Sequence, residues 1–351
     1  MMKGLTCEIS LNNVEHNLNL VKKFNDEKKV IGVIKANAYG LGLEGISDFL
    51  KDKVDYLAVA ELDEAKRISQ DVEVLILSPL IKEEDFLIDQ DNIIFTIDNE
   101  EIIDKIPEDK ELKVHIYVDT GMNRMGIKPE NLDKVINKIN VNRPQVLVHG
   151  IYTHLHNTKN VKYTLKQISV FKKASEKYIG KIPMIHALNS SGTINDEIRN
   201  ACDFTNAVRA GNILYGYEGL DKGFKKTYNY YAEIINVCEV KAGEHVGYSC
   251  VYKAKRNMKV GVLGIGNIEH IGFSRDIKHN IFYDLVKVIY NHVKYRPIIF
   301  SKNGGIRIVS KPNMNITLVD ATNLDINEKL RIEISPILAE SSIPKIYKYE
   351  Q

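Results

Sequence analysis

Lys35 is the residue whose place in this sequence most clearly suggests covalent chemistry. It directly follows Val30–Ile34, a short apolar run rich in β-branched residues that is typical of a buried strand in a parallel sheet. An ammonium group there is costly to desolvate unless it is paired, neutral or covalently bound, and a Schiff base with a carbonyl cofactor removes most of that cost. The alternative is a strand-end lysine that extends its amine into solvent.

Other polar side chains follow later apolar runs in the same way. They are Asp119 and Arg124, Tyr152 and His154, Asn189 and Ser190, and Arg209, with Tyr39 close behind Lys35. After Arg209, Gly211 and Asn212 form a small-residue turn before a predicted helix that ends at Gly216. The first free N–H groups of such a helix and the Ser190 hydroxyl could hold a phosphate, although a simple turn and cap is the alternative. A phosphate beside a Schiff-base lysine indicates pyridoxal phosphate.

The elements that must position these residues are eight apolar runs that alternate with helix-like segments. The runs are Val30–Ile34, Tyr56–Val59, Val74–Leu77, Ile93–Thr96, Val114–Val118, Val146–Tyr152, Pro183–His186 and Ala207–Arg209. The helix-like segments include Glu61–Ser69, Asn131–Ile139 and Tyr163–Tyr178. Their even spacing favours a closed (β/α)8 TIM barrel, in which the polar residues converge at the carboxyl ends of the strands. An open dinucleotide-binding sheet is less favoured because no Gly-x-Gly-x-x-Gly follows a strand.

The pattern changes to strands with little helix between them from about Tyr228. These predicted strands are Ile234–Val240, Val246–Tyr252, Val260–Ile265, Pro297–Phe300, Ile306–Val309, Ile316–Val319 and Leu330–Ile334. Residues 281–292 are apolar at helical spacing and predict an inserted helix of unassigned role. We therefore expect an α/β fold with a barrel over residues 11–225 and a mainly-β domain over residues 226–351.

Composition excludes several classes of function. The 351 residues carry 48 basic and 46 acidic side chains, so the net charge of +2 gives no reason to expect a nucleic acid or membrane partner. The four cysteines form no Cys-x-x-Cys pair, which predicts a reducing, cytoplasmic location. His154 and His156 could share one face of a strand as a metal pair, but further ligands nearby are not evident, so no metal site is predicted.

Four stretches together resemble, in order, the motifs of bacterial alanine racemases, which are pyridoxal phosphate enzymes of fold type III. They are Val33–Gly42, Val118–Gly126, Gly150–His154 and Val208–Gly216. The resemblance implies an isomerase that converts L-alanine to the D-amino acid with pyridoxal 5'-phosphate. It also implies that residues 1–10 join the β domain, and that a homodimer shares its active sites between subunits.

The resemblance also implies a role for each matched residue. Lys35 would hold the cofactor and act as one catalytic base, and Tyr248 would act as the second base, in the partner's site. Two bases are needed because inversion of a stereocentre removes a proton on one face of Cα and returns it on the other. The remaining implied contacts are Tyr39, Ser190, Gly211 and Asn212 with the phosphate, Asn189 in support, Arg209 with the pyridine nitrogen, His154 in the network around Tyr248 and Arg209, and Arg124 and Met314 with the substrate carboxylate.

Four positions depart from the family pattern. Tyr117 stands where many members carry a lysine that supports the substrate-binding arginine, so Arg124 would be held differently, with the Tyr117 hydroxyl as one candidate. Asn267 lies where a gate tyrosine is usual, Asn315 replaces an aspartate, and Ser341 replaces a tyrosine. Loss of bulky groups would admit a larger substrate, so serine or a basic amino acid such as ornithine or lysine is an alternative to alanine. A carrier of pyridoxal phosphate is the non-enzyme alternative, and a sugar-phosphate barrel enzyme is a weaker one.

Overall fold

The chain forms two compact units in a computed structural model that describes residues 4–26, 28–79, 82–272, 281–293 and 296–349. One unit comprises Ser10–Thr227 together with the chain end from Tyr349. The other combines the start of the chain, up to Ile9, with Tyr228–Lys348. No helix among the described residues is long and apolar enough to cross a membrane.

The first unit is a closed barrel of eight parallel strands, which confirms the predicted architecture. The strands are β2 (Lys29–Val33), β3 (Tyr56–Val59), β4 (Val74–Ile76), β5 (Ile93–Ile97), β6 (Leu112–Tyr117), β7 (Val146–Tyr152), β8 (Met184–His186) and β9 (Ala207–Ala210). Closure occurs between β2 and β9, where Val30 pairs with Val208 and Ile31 with Arg209. The carboxyl ends of all eight strands therefore lie at one mouth of the barrel, where barrel enzymes build their sites.

Short and medium helices surround the barrel strands. They are Leu11–Asn25, Leu43–Leu50, Leu62–Ala65, Glu101–Asp104, Leu132–Asn142, Val161–Ser175, Ser190–Thr193 and Asp196–Ala201. Single 3₁₀ turns lie at Glu83–Leu87, Pro129–Asn131, Glu176–Tyr178 and Leu220–Lys222. The barrel is filled partly by apolar side chains such as Ile31, Ala58 and Met184, all fully buried. Burial of a large apolar side chain such as Ile31 or Met184 stabilises the fold by about 1.5–3 kcal/mol.

The second unit is mainly β, as predicted. Its strands are β1 (Thr6–Ser10), β10 (Tyr228–Val240), β11 (His245–Val246), β12 (Tyr252–Lys253), β13 (Met258–Leu263), β14 (Ile299–Ser301), β15 (Gly304–Ile306), β16 (Thr317–Asp320), β17 (Lys329–Ile332) and β18 (Lys345–Lys348). The long strand β10 pairs with β1, β13 and β17, all antiparallel. Alternate residues of its first half are buried, which is the period expected of a sheet with one face packed on a core.

Three local predictions are wrong, and one of them is the strand Ile306–Val309, of which only Ile306 lies in a strand, β15. Residues 246–252 do not form one strand, because β11 ends at Val246 and a 3₁₀ turn at Tyr248–Cys250 separates it from β12. Ser249 and Cys250 have φ values of 58° and 52°, which no β-strand can contain. Asn212–Gly216 forms successive turns instead of a helix. The inserted helix is confirmed at Ile281–Val293, and a further 3₁₀ turn lies at Asn267–Glu269.

Candidate functional site

Lys35 opens a left-handed turn, which the sequence did not predict. The four residues after it have φ values between 51° and 56°, and they are Ala36, Asn37, Ala38 and Tyr39. Side chains disfavour this conformation by about 1–2 kcal/mol per residue, so left-handed residues normally occur singly. The turn ends at Gly40, whose φ of 85° suits glycine.

Glu64 anchors this turn to the barrel wall. One of its carboxylate oxygens accepts a hydrogen bond from the Asn37 N–H at 2.9 Å, and the other accepts one from the Ala60 N–H at 3.0 Å. The Asn37 side chain accepts a further hydrogen bond from the Leu43 N–H at 2.8 Å. These bonds offset the strain and fix the backbone that carries Lys35 at the end of β2.

A cavity of about 290 Å³ lies at the carboxyl ends of the barrel strands. Nine residues predicted from the sequence line it: Lys35, Tyr39, Arg124, His154, Asn189, Ser190, Arg209, Gly211 and Asn212. The remaining lining residues are Val33, Leu77, Tyr117, Tyr152, Ser191 and Glu218. Residues from distant parts of the sequence thus converge because parallel strands all end at one mouth of the barrel.

The environment of Lys35 favours a neutral amine. Burial lowers the pKa of Lys35, and the positive charges of Arg124 and Arg209 lower it further, whereas Glu64 opposes them. A lysine amine must be neutral to attack a carbonyl or to accept a proton. The geometry therefore suits a lysine that forms a covalent bond with a carbonyl group or acts as a base.

Arg209 is buried below the cavity, with 4% of its surface exposed. One of its terminal nitrogens donates to the Thr153 carbonyl at 2.7 Å and to the Ala187 carbonyl at 3.2 Å. The other lies 2.5 Å from Nδ1 of His186. Its guanidinium also lies over the Tyr152 ring, 5.2 Å from the ring centre. These contacts fix the plane of the Arg209 guanidinium, which acts only as a hydrogen-bond donor.

The donors predicted to bind a phosphate meet around Ser190. Its hydroxyl oxygen accepts hydrogen bonds from the backbone N–H groups of Gly211, at 3.1 Å, and Ile213, at 3.4 Å. A Cβ on Gly211 would lie 3.0 Å from Cζ of Tyr39, so only glycine leaves room for the Tyr39 ring here. Converging backbone N–H groups and hydroxyls are a common anion-binding arrangement.

Glu218 is a lining residue that the sequence analysis missed. It accepts a hydrogen bond from the Asn212 side chain at 2.6 Å and another from the Ser191 hydroxyl. Burial raises the pKa of Tyr39 to about 12, with a smaller contribution from the negative charge of Glu218. Glu218 lies two residues after the fourth motif, Val208–Gly216, and this proximity was the one sign in the sequence that it could belong to the site. The carboxylate orients Asn212 and also brings a negative charge to the site.

Arg124 is held at the cavity mouth by a loop that Asp119 organises. The Asp119 carboxylate accepts hydrogen bonds from the N–H groups of Gly121, at 3.1 Å, and Asn123, at 3.0 Å, and pairs with Lys128 at 2.6 Å. Burial raises the pKa of Asp119, but these hydrogen bonds and the Lys128 charge outweigh it and leave the pKa below its usual value. Asp119 itself does not line the cavity.

Tyr117 forms the wall beside Arg124. Its ring stacks on that of Tyr152, with centres 4.9 Å apart and planes 8° apart. Burial raises the pKa of Tyr117, and the positive charges of Arg124 and Arg209 act in the opposite direction. The Tyr117 hydroxyl lies 3.9 Å from Sδ of Met122, so its suggested role as a replacement for the missing lysine stays a prediction.

His154 lines the cavity as a neutral imidazole. Burial lowers its pKa to about 3, and the positive charges of Arg209, Arg124 and Lys35 contribute further.

Asn189 has a different role, since its side-chain oxygen accepts from the Gly192 N–H at 2.9 Å and caps the helix Ser190–Thr193. Among the described residues, no group of three or more His, Cys, Asp or Glu could hold a metal ion.

Two predicted site residues do not line the cavity and belong to the β unit. Tyr248 is 77% exposed and Met314 is 73% exposed. Tyr248 follows Gly247, whose φ is 77°, so a sharp bend presents the ring to solvent. The variant positions Asn267, Asn315 and Ser341 lie in this unit as well. The described cavity is thus built by barrel residues alone.

Comparisons with known proteins identify the family of this chain. The chain matches the family models "Alanine racemase, N-terminal domain" over residues 9–219 and "Alanine racemase, C-terminal domain" over residues 227–334. An alanine racemase of Borreliella burgdorferi is 31% identical over 375 residues, which cover 100% of this chain and 93% of that protein. A Clostridium difficile alanine racemase structure has a TM-score of 0.81 at 25% identity and covers 98% of this chain and 96% of its own.

A histidine racemase from Leuconostoc mesenteroides subsp. sake shares the fold at the same level. Its TM-score is 0.82 at 20% identity, with 99% of this chain and 98% of that chain covered. At this identity the likeness concerns the fold. Solved structures with this fold therefore include racemases named for two different substrates, alanine and histidine.

Proposed function

This chain belongs to the alanine racemase family, whose members are pyridoxal-phosphate-dependent isomerases, and we propose on that basis that it interconverts L- and D-alanine. The observation that carries the proposal is the convergence of nine predicted residues, with Lys35 among them, on one cavity. The substrate and the role of each residue are part of the proposal.

The residues of the cavity fit pyridoxal phosphate. Lys35 has an amine whose pKa is lowered, as a covalent link to the aldehyde requires. Tyr39, Ser190 and the backbone of Gly211 and Asn212 would hold the phosphate at the converging donors. When bound, the cofactor supplies an electron-withdrawing ring that makes the proton on Cα of the substrate acidic.

Lys35 and Tyr248 would be the two bases, on opposite faces of Cα. Lys35 would move the proton on the D face, and Tyr248 of the partner subunit would move the proton on the L face. A phenol with a pKa near 10 is a weak base at neutral pH, so nearby positive charge must favour the phenolate. Support comes from the 77% exposure of Tyr248 and from a cavity lined by barrel residues alone, which together favour a homodimer.

Arg209 and Arg124 would orient the two reacting partners. Arg209 would donate to the pyridine nitrogen, and because a guanidinium does not readily give up its proton, that nitrogen stays unprotonated. Arg124 would bind the substrate carboxylate, supported by the Tyr117 hydroxyl, and Met314 of the β unit would contribute a backbone contact. We further propose a cytoplasmic location, from the spacing of the cysteines.

A substrate panel tests the proposal. Purified enzyme with pyridoxal phosphate is given each L-amino acid, and D-amino acid oxidase reports the product. We expect alanine to be turned over with the highest kcat/KM. Alanine at the bottom of the ranking refutes the substrate assignment, and a cofactor-bound protein that racemises nothing favours a carrier of pyridoxal phosphate.

A larger substrate is the second candidate, and the side chain at position 267 favours it. Asn267 is a short, exposed side chain at the position of the family's gate tyrosine. A pocket that excludes larger substrates by steric contact loses selectivity when a bulky side chain is absent. Serine, ornithine, lysine and histidine therefore belong in the panel.

A further inference from the structure

Three histidines extend from Arg209 into the interior of the barrel. Nη1 of Arg209 lies 2.5 Å from Nδ1 of His186, and Nε2 of His186 lies 3.0 Å from Nδ1 of His115. Nε2 of His115 then lies 3.1 Å from Nδ1 of His149. His186 and His115 are fully buried, and His149 is 9% exposed. The residues come from four neighbouring strands, β9, β8, β6 and β7.

The chain has one possible direction of donation. A guanidinium has no acceptor, so Nδ1 of His186 must accept, and the ring proton of His186 is then on Nε2. That proton is donated to Nδ1 of His115, which places the proton of His115 on Nε2 in turn. Nε2 of His115 donates to Nδ1 of His149. All three imidazoles are therefore neutral and carry their proton on Nε2.

Two features of β7 make room for this chain. Val114 pairs with Val148 and His115 with Gly150, so His149 is the extra residue of a β-bulge. Bulges redirect a side chain that would otherwise face the other side of the sheet. A Cβ on Gly150 would lie 2.6 Å from carbons of the His115 ring, a distance that real side chains do not reach. The bulge and the glycine together let His115 and His149 meet.

The chain provides what a buried cation needs. Arg209 forms no ion pair with any residue in the described part of the chain, although it is 4% exposed. Each imidazole presents its lone pair toward Arg209 and its N–H away from it, so the three aligned dipoles favour the positive charge. A buried charge is costly without such compensation.

The far end of the chain lies toward the amino ends of the strands. His149 is close to the Tyr56 ring, with centres 5.9 Å apart, and it is subject to the charges of Glu73, Lys113 and Lys29. Glu73 and Lys113 form an ion pair with each other. These charged groups surround the end of the chain at the opposite side of the barrel from the cavity.

We propose that His115 and His149 are positioning residues that act through His186 to fix the orientation of the Arg209 guanidinium and to compensate its buried charge. The effect on turnover rests on the proposed function, in which Arg209 contacts the cofactor. The direction of the hydrogen bonds does not rest on the proposed function, so the histidine chain and the proposed function can be refuted separately.

Nitrogen NMR of the histidine-labelled holoenzyme tests the direction. We expect His186, His115 and His149 each to show a protonated Nε2 and an unprotonated Nδ1 between about pH 5 and 8, the range in which free histidine changes charge. Assignment comes from His149→Gln and His115→Asn. A proton on Nδ1 of any of the three, or a doubly protonated ring, overturns the proposal even if the enzyme racemises no amino acid.

Matched variants test the positioning. In His115→Asn the amide oxygen can take the place of Nδ1 and keep the link to His186, whereas His115→Leu removes both links. Gly150→Ala displaces the His115 ring without changing a histidine. We expect kcat to fall about tenfold or more in His115→Leu and Gly150→Ala, with a smaller loss in His115→Asn and little change in KM, because a buried donor loses its acceptor.

A spectroscopic signal separates positioning from general damage. The Arg209 guanidinium N–H resonances should shift in His115→Leu and Gly150→Ala, since the His186 ring that accepts from Nη1 is no longer held by His115. Ser175→Ala is the control, because it removes a buried hydrogen bond to the Phe171 carbonyl on an outer helix of the barrel. Unchanged Arg209 resonances in the first two variants, or an equal loss of kcat in the control, refutes the positioning role.

Discussion

The left-handed turn after Lys35 can be tested with a single substitution, Ala36→Gly. Ala36 has a φ of 53° and an exposed side chain, so replacement by glycine removes strain without removing a packing contact. Left-handed geometry costs a residue with a side chain about 1–2 kcal/mol. Glycine avoids that cost but loses about 0.5–1 kcal/mol more than alanine through its greater freedom when unfolded. We expect a net stabilisation of about 0.5–1 kcal/mol.

A matched variant isolates the strain. Ala174 lies in the right-handed helix Val161–Ser175 of the same unit. In Ala174→Gly the greater freedom of glycine in the unfolded state is not offset by any release of left-handed strain, so the substitution should destabilise the protein by about 0.5–1 kcal/mol. The difference between the two variants is then the left-handed cost itself, about 1–2 kcal/mol.

Thermal unfolding of the cofactor-free protein provides the assay. A change of 1 kcal/mol shifts the Tm of a unit of this size by about 2–4 °C, so the two variants should move in opposite directions. We also expect a lower kcat for Ala36→Gly, because glycine lets the segment leave the conformation that fixes the Lys35 backbone. Equal destabilisation by both substitutions would show that the turn is not strained and would refute the reasoning.

Four further outcomes follow from the site. Tyr248→Phe should abolish racemisation from L to D, since the second base is lost, and hydrogen exchange at Cα of each enantiomer reports it; unchanged exchange from the L side contradicts the two-base assignment. Tyr117→Phe should raise KM several-fold with little change in kcat, because it removes the hydroxyl proposed to support Arg124; steady-state kinetics measures this, and a lower kcat at constant KM contradicts it. Glu218→Gln should bind pyridoxal phosphate more tightly, since a negative charge near the phosphate donors is removed; titration of the cofactor-free protein checks it, and weaker binding contradicts it. His154 has a pKa of about 3 when folded, below the unfolded value near 6.5, so the unfolded state binds more protons between these values and stability falls as the pH drops below about 6.5; the slope of unfolding free energy against pH should be shallower in His154→Gln, and an unchanged slope contradicts the assignment.

Hydrophobic periodicity was sufficient to predict the barrel. Eight apolar runs alternate with helical segments. Strands of a parallel sheet are buried on both faces, so they can be recognised in the sequence as short runs of β-branched residues. The polar residues at strand ends were predicted to meet for the same reason, because closure brings all carboxyl ends to one mouth. Eight of these nine polar residues line the cavity, including Lys35 and Arg209, and Asp119 is the exception.

Local propensity misjudged the loops. Asn212–Gly216 was predicted as a helix and forms turns, and residues 246–252 were predicted as one strand but contain a turn at Tyr248–Cys250. The hydrogen bonds of Ser190 to the Gly211 and Ile213 N–H groups come from a distant segment, so tertiary contacts overrode the local preference. A propensity that spans less than 1 kcal/mol per residue cannot compete with such contacts.

By itself, the sequence determined the fold class, the family motifs and the order in which the site residues occur. The tertiary structure alone decided the left-handed turn at Ala36–Tyr39 and the histidine chain behind Arg209. The turn depends on the Glu64 carboxylate, which accepts a hydrogen bond from the Asn37 N–H, and the histidine chain depends on a β-bulge at His149 and the missing side chain of Gly150. Each of these depends on atoms brought together from different strands, and the spacing of residues along one chain does not encode such distances.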